Sequence, residues 1–186
     1  NCAAEQAYEI IKRRILNLTY PPGSDLTETF LADELAMSRM PIRSALQRLR
    51  AENLISSQYR QKNRVSTIDA KHVRGLYQLR RMLELPAVEK IFELDRNWDY
   101  SYRMEEQLVR MKAGRYDIFD LESGDARMHR IIIGIFDNPL IDNLYEALQD
   151  QMVRVGMFIG SQQTPEYIIA QWESIILAIR EKRLPD

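Results

Sequence analysis

Residues 38–50, SRMPIRSALQRLR, decide the fold of the first third of this chain. Aliphatic side chains recur there at i, i+3, i+4 and i+7, the spacing of one buried helical face: Ile42, Ala45, Leu46 and Leu49. A polar and basic stripe follows another face of the same helix: Arg39, Arg43, Gln47 and Arg50. Ser38 is placed to cap this helix, and Pro41 lies in its first turn, where a missing N–H is tolerated. The stretch therefore predicts a short helix that packs on a core and presents guanidinium groups outward, a shape that the DNA major groove accepts.

Two further helices are predicted before this one. The first runs from about Ala4 to Leu18 and ends at the sequence YPPG, residues 20–23, because consecutive prolines cannot continue a helix. The second begins near Thr27, and its apolar face is expected to consist of Phe30, Leu31 and Leu35. A short turn at 36–38 leads into the basic helix. Two helices joined in this way, the second amphipathic and basic, are typical of a helix-turn-helix.

A small β-wing is predicted after the basic helix. The segments 54–55 and 65–68 flank a polar stretch, SSQYRQKNR, and are interpreted as two short strands around a basic tip. Asn63 is the residue there that best tolerates a left-handed turn, so the turn is expected at Asn63.

Basic charge is concentrated in this part of the chain. The 186 residues carry a formal net charge of −1, with 26 Lys and Arg against 27 Asp and Glu. Between residues 38 and 64, however, there are seven basic residues and one acidic residue, Glu52. A local basic surface of this kind is what docking on a nucleic acid requires.

Composition indicates a globular protein and argues against a membrane partner. Hydrophobic residues make up 45% of the chain and charged residues 28%, as in soluble proteins. There is neither an apolar run of about 18 residues nor a signal-peptide pattern. Cys2 is the only cysteine, so no intrachain disulfide can form, and a reducing, cytoplasmic location is expected.

From Asp69 onward the pattern is helical throughout, with a long helix followed by four more at about 98–113, 116–136, 139–160 and 165–182. The sequence thus predicts a DNA-binding domain at 1–69 and an all-helical domain at 70–186, the latter expected to be cut short at its C-terminal end. The predicted fold class is mainly α: a winged helix-turn-helix with a small β-wing, followed by an all-α helical bundle.

Residues 8–68 resemble the winged helix-turn-helix domain of the GntR family of bacterial transcription regulators. The matching string is PPGSDLTETFLADELAMSRMPIRSALQRLRAENLI, residues 21–55. Residues 70–186 resemble the all-helical, FCD-type ligand-binding domain of the FadR subgroup, which implies that 70–186 is an effector-binding and dimerisation domain. The segments that carry this second resemblance are LYQLRRMLE at 76–84 and Asp125-x-x-x-His129.

The resemblance implies that Arg39 and Arg43 read operator bases and that Ser38 and the wing contact phosphates or the minor groove. Arginine suits base reading because its planar fork can donate two hydrogen bonds to guanine O6 and N7. The wing residues are expected to attract the duplex mainly through charge. Thr29 stands where some relatives carry a further DNA-contacting arginine.

The candidate DNA-binding residues are therefore Thr29, Ser38, Arg39, Arg43, Gln47, Arg50, Arg60, Lys62 and Arg64. The alternative is that the stripe on the basic helix is only a solvated surface, since helix surfaces are commonly charged.

Asp125 and His129 are four residues apart, so both side chains emerge on one helix face. A carboxylate oxygen and an imidazole nitrogen there could share a divalent metal. In metal-binding relatives two further histidines complete the site, whereas Trp172 stands here at the position of the third ligand. Two ligands do not hold a metal well, so no cofactor is required. An Asp–His hydrogen bond inside a core or an effector pocket is the favoured alternative to a metal.

Arg80 and Glu84 form an i, i+4 pair that allows two interpretations. It is either an ordinary helical ion pair, or Arg80 points into the helical cavity and binds an effector carboxylate, as the resemblance suggests. The candidate effector-binding residues are Arg80, Asp125, His129 and Trp172.

The favoured function is a sequence-specific DNA-binding transcription regulator, not an enzyme, that binds a palindromic operator as a homodimer. A small-molecule effector, an organic acid or related metabolite, is expected to control it. Three alternatives stay open: a helical-bundle enzyme or a metal-sensing regulator, each using Asp125 and His129, and a module that binds any DNA alike. The enzyme is disfavoured because no nucleophile with a nearby base and no phosphate-binding glycine loop is visible.

Overall fold

The computed structural model describes residues 3–58, 62–114, 117–160 and 164–183, with the backbone alone at 57, 58 and 62. The chain divides into two compact units, residues 1–70 and 71–186. The described residues are mainly helical with one small sheet, which confirms the predicted fold class. No helix in these ranges is both long enough and apolar enough to span a membrane.

The first unit contains three helices and a three-stranded sheet. Its elements are α1 (Ala3–Leu16), β1 (Asp25–Leu26), α2 (Glu28–Glu34), α3 (Arg39–Ala51), β2 (Ile55–Gln58) and β3 (Lys62–Val65). The strand order is β1-β3-β2, and both strand pairs are antiparallel. Helix α3 packs against α1 and α2, and the four aliphatic residues predicted for its inner face, Ile42, Ala45, Leu46 and Leu49, are fully buried.

Helix α2 begins where the sequence predicts, but its apolar face differs. Thr27 caps it by accepting a hydrogen bond from the Phe30 backbone N–H at 3.1 Å. Leu31 and Ala32 are buried, whereas Phe30 is 47% exposed and lies edge-on against Tyr20. The prediction for Phe30 is wrong because the buried face lies between Leu31 and Ala32, and at about 100° per residue Phe30 points to the other side of Leu31, away from Ala32.

Two boundaries in this unit also differ from the prediction. Helix α1 ends at Leu16 rather than Leu18, because Leu18 adopts a left-handed conformation with φ 61° and turns the chain before the prolines. Ser38 occupies the N-cap position of α3, but its side chain makes no capping hydrogen bond. Helix α3 is therefore held by its buried face rather than by its cap.

The prediction that Asn63 forms the wing turn is wrong. Asn63 lies inside β3, opposite Leu26 on one side and Ser57 on the other, and is only 7% exposed. Strand β1 pairs with Asn63 and Arg64, and β2 pairs with β3 as far as Lys62, so Asn63 belongs to the sheet and not to a turn. The sequence does not reveal β1 because two residues carry no measurable periodicity.

The second unit is a helical bundle. It comprises α4 (Ala70–Glu93), α5 (Asn97–Ala113), α6 (Ile118–Ile133), a 3₁₀ turn (Gly134–Phe136), α7 (Pro139–Ile159) and α8 (Pro165–Arg180). Helices α6, α7 and α8 are capped by side chains that accept hydrogen bonds from backbone N–H groups of the first turn: Asp117, Asn138 and Thr164 respectively. Helix α5 packs against α6 and α8, and α6 packs against α7. Buried methionines and aromatic residues fill the core between them: Tyr100, Met104, Met128, Tyr145 and Trp172.

The contact between α5 and α6 depends on Gly124. A Cβ atom at this position would lie 2.6 Å from Cγ of Met111, whereas a Cβ at Gly75 of α4 would meet nothing within 4 Å. We expect Gly124→Ala to lower the free energy of unfolding by roughly 1–3 kcal/mol through overpacking. Gly75→Ala, the matched control, should raise it by about 0.5–1 kcal/mol through helix propensity. Urea unfolding measures the free energy of unfolding of both variants. Equal changes in the two would show that the Met111 side chain moves aside without an energetic cost.

Candidate DNA-binding surface and effector site

Helix α3 presents most of its predicted polar stripe to solvent. Ser38, Arg39, Arg43 and Gln47 are all exposed. Arg50 is only half-exposed, and its Nε donates to the Leu46 carbonyl oxygen at 3.3 Å on the same helix. The exposed part of the stripe therefore runs from Ser38 to Gln47 and includes the N-terminal end of α3, the part that reads bases in helix-turn-helix proteins.

Arg43 is held in place by an acidic residue of the preceding helix. Its Nε and Nη2 donate to Oε1 and Oε2 of Glu28 at 2.9 and 2.8 Å. The hydrogen bond from Arg43 is the main reason that the pKa of Glu28 is lowered, and the charges of Arg39 and Arg50 add to it. The pair uses the Nε–H and one Nη2–H of Arg43, so the Nη1 donors and the second Nη2 donor remain for a guanine edge while Glu28 stays in place.

The remaining candidate DNA-binding residues lie outside α3, and only some of them are among the described residues. Thr29 is exposed on α2, next to Glu28. Arg64 is exposed on β3, and its Nε donates to Oδ1 of Asp25 at 2.8 Å. Arg60 and the Lys62 side chain lie outside the described residues.

Arg48 lies on a different flank of α3 from the predicted stripe. Its Nη1 donates to Oε2 of Glu5 at 2.6 Å, and its guanidinium carbon is 3.6 Å from the centroid of the Tyr8 ring. Both partners belong to α1, so Arg48 ties α3 to α1. Arg48 therefore packs against α1, whereas Arg43 pairs with Glu28 of α2.

In the second unit, Arg80 and Glu84 do form an ion pair, and that pair is part of a larger polar network. Arg80 Nε donates to Glu84 Oε1 at 3.0 Å, and Arg80 Nη2 lies 2.8 Å from Nδ1 of His129. The same Nδ1 lies 3.1 Å from Glu84 Oε2. The Tyr145 hydroxyl donates to Glu84 Oε1 at 2.5 Å. Helices α4, α6 and α7 therefore all contribute to this network.

Asp125 extends the network to α8. Its Oδ1 accepts the indole N–H of Trp172 at 2.7 Å, and the His129 ring lies edge-on to Trp172 with centroids 4.6 Å apart. The Asp–His hydrogen bond that the sequence favours is not formed, because His129 Nε2 is 3.6 Å from Asp125 Oδ2. Asp125 is bonded to Trp172 instead, and His129 to Glu84 and Arg80.

The network shifts the pKa values of Glu84 and Tyr145. Burial is the largest influence on the pKa of Glu84 and raises it, but His129 and Arg80 together outweigh burial and lower the pKa to about 2. Burial and the neighbouring Glu84 carboxylate raise the pKa of the Tyr145 hydroxyl. Glu84 is therefore ionised at neutral pH, and Tyr145 is a neutral hydrogen-bond donor.

Two crevices open beside the network. The first, of about 570 Å³, is mostly apolar, with Glu84 and His129 in its wall. The second, of about 520 Å³, is more polar, and Arg80, Asp125, His129 and Trp172 all line it. All four candidate effector residues thus face one space. Sequence reasoning does not single out Tyr145 or Glu122, because nothing in the local sequence distinguishes either residue from the other residues of its helix.

The residues present do not fit a divalent metal. No group of three or more His, Cys, Asp or Glu side chains within the described ranges could hold a metal ion. Trp172 stands where a ligand would be needed, and its indole nitrogen can only donate. The Arg80 guanidinium, 2.8 Å from His129, would repel a second cation there.

Comparison with known proteins gives the same two-part division of the sequence. Residues 3–65 match the family described as bacterial regulatory proteins, gntR family, and residues 75–184 match the FCD domain. The chain is 26% identical over 182 residues to the uncharacterized HTH-type transcriptional regulator YdhC of Bacillus subtilis, covering 95% of this chain and 80% of that protein. It is 24% identical over 181 residues to the HTH-type transcriptional repressor RspR of Escherichia coli, covering 96% and 79%.

A solved structure shows the same fold. The crystal structure of a putative transcriptional regulator GntR from Rhodococcus sp. RHA1 superposes with a TM-score of 0.76 at 20% identity, covering 98% of this chain and 88% of that one.

Proposed function

The chain belongs to the gntR family of bacterial regulatory proteins and carries an FCD domain, and on that premise we propose that it regulates transcription by binding a specific operator through α3. The observation that carries this proposal is the division of α3 into two faces. Ile42, Leu46 and Leu49 are fully buried, while Arg39 and Arg43 are exposed at the N-terminal end of the same helix. A helix anchored in this way can enter a major groove without losing its own packing.

Glu28 supports base reading by Arg43. A free arginine side chain loses rotamer freedom when it binds a base, whereas the two hydrogen bonds to Glu28 already hold the guanidinium of Arg43 in one plane. Orientation before binding lowers the entropic cost of the contact.

We propose that the protein acts as a homodimer in the cytoplasm. One recognition helix covers only a few base pairs, so two-fold symmetry and half-sites about one helical turn apart are needed for a selective operator. Repression is the proposed direction of control, because RspR of Escherichia coli is named a repressor.

The effector is proposed to be a small organic acid that binds in the crevice beside Arg80, Asp125, His129 and Trp172. Arg80 supplies positive charge where a metal would otherwise be needed, so no metal cofactor is proposed. The protein is proposed to act as a regulator without enzymatic activity.

Replacing Arg43 with alanine tests the DNA contact. We expect Arg43→Ala to weaken binding to the operator by about 1–3 kcal/mol, because a bidentate guanine contact is lost. The operator is first selected from a random duplex library with the wild-type protein, and affinities are then measured by fluorescence anisotropy.

The matched control is Arg48→Ala, which removes the same charge from another flank of α3. It should leave the ratio of operator affinity to scrambled-duplex affinity close to that of the wild type. If Arg43→Ala also preserved that ratio, Arg43 would contact no base.

A further inference from the structure

One carboxyl group of the second unit is buried and has no hydrogen-bond partner among the described residues. Glu122 of α6 is only 8% exposed. Its side chain lies against the backbone of α7, since a Cβ atom at Gly156 would be 1.7 Å from Glu122 Oε2. The glycine thus makes room for the carboxyl group, yet α7 offers that group no donor.

Burying a carboxyl group in this way is unfavourable. Burial, with a smaller contribution from the charge of Asp125, raises the pKa of Glu122 to about 7. Buried polar groups are normally hydrogen-bonded, whereas no described residue donates to the Glu122 carboxyl group. Packing does not explain why a carboxyl group stands there, because methionine would fill the same volume without this penalty.

Glu122 lines a recess of about 60 Å³ that adjoins the crevice beside Arg80. The recess and the crevice share four lining residues, Tyr77, Arg80, Asp125 and Gln171. Arg80 uses Nε and Nη2 for Glu84 and His129, which leaves its Nη1 without a hydrogen bond to any described residue. The combined space therefore offers the guanidinium donor of Arg80 and the carboxyl acceptors of Asp125 and Glu122.

We propose that this recess makes the regulator selective for small acids that carry a hydrogen-bond donor on the carbon next to the carboxylate, that is, α-hydroxy or α-amino acids. The ligand carboxylate binds Nη1 of Arg80, and its hydroxyl or ammonium group donates to Glu122 and Asp125. This inference rests on the proposed function, because it specifies the effector of the same crevice.

The chemistry of these groups explains why the donor matters. An acid without a donor would satisfy Arg80 but leave the Glu122 carboxyl group without a hydrogen-bond donor. A site built to pair a ligand donor rejects the analogue that lacks it more strongly than an apolar pocket rejects a missing methylene. A single hydrogen bond to a charged or buried group corresponds to a difference in affinity of at least about tenfold.

Binding of two matched sets of acids to the full chain tests the inference. The three-carbon set is propanoate, lactate and alanine, and the six-carbon set is hexanoate, 2-hydroxyhexanoate and norleucine. Dissociation constants are measured by calorimetry in buffer with EDTA, for the wild type and for Glu122→Met. We expect a donor-bearing acid of at least one set to bind at least about tenfold more tightly than its donor-free partner, and this preference to disappear in Glu122→Met.

The control variant is Glu146→Met, which removes an exposed carboxylate of α7 and should keep the wild-type preference. Thermal unfolding checks that Glu122→Met is folded, and Glu122→Gln serves as a second variant that retains an acceptor and part of the preference. Equal binding within each set, or a preference that survives Glu122→Met, overturns the inference while leaving an acid effector in place. Binding of none of the six acids overturns both the inference and the acid effector, without bearing on operator binding.

Discussion

Replacing Arg80 with methionine should lower the free energy of unfolding of the second unit by about 3–5 kcal/mol. The Arg80 and Glu84 side chains are only 14% and 17% exposed, so the Glu84 carboxylate would lose its cation in a place that water barely reaches. Both tryptophans of the chain, Trp98 and Trp172, lie in this unit, so tryptophan fluorescence during urea unfolding reports on it selectively.

A second substitution separates the ion pair from simple packing. Because neutralising Glu84 removes the unpaired charge, the double variant Arg80→Met with Glu84→Gln should regain much of the stability lost in Arg80→Met. Arg74→Met, at an exposed position of the same helix, is the matched control and should change stability by less than about 0.5 kcal/mol. If Arg80→Met were no more destabilising than Arg74→Met, the Arg80–Glu84 ion pair would not be buried from water.

Replacing Leu46 with alanine should lower the stability of the first unit by about 2–5 kcal/mol. Leu46 is fully buried in the middle of α3, and its removal leaves a cavity where α3 packs against its neighbours. Hydrogen exchange of peptides from α3 measures local stability there, since tryptophan fluorescence reports only on the second unit.

Ser44→Ala is the control for this variant, because Ser44 is exposed on the same helix and alanine is the better helix former. It should leave exchange in α3 unchanged or slower. Protection of α3 in Leu46→Ala equal to that in the wild type would mean that this residue does not anchor the helix.

Much of the fold can be predicted from the sequence because its signals are local. The aliphatic stripe of α3 recurs within one helix. Four helix starts carry a residue whose side chain caps the helix: Thr27, Asp117, Asn138 and Thr164. Asp117 is recognisable as a cap only together with the apolar residues that follow it. The wing is harder, because its register depends on β1, which pairs with β3 from far away along the chain: Asp25 lies opposite Arg64, 39 residues later.

The sites are less predictable because their partners come from different helices. Asp125, His129 and Trp172 can be singled out from the sequence, but nothing local shows that Trp172 bonds Asp125 while His129 bonds Glu84. The pair of Arg43 with Glu28 spans a turn between two helices. Glu122 is the extreme case, since it is buried against Gly156, a residue of a different helix that lies 34 positions later in the sequence.

The most direct test of the central claim, that α3 reads DNA sequence, is the ratio of two dissociation constants at physiological salt. One is measured for the operator selected by the wild-type protein and the other for a scrambled duplex of equal length and composition. We expect the operator to bind at least about 10³-fold more tightly. A ratio near one would show that the exposed arginines attract phosphates alone and that the protein reads no sequence.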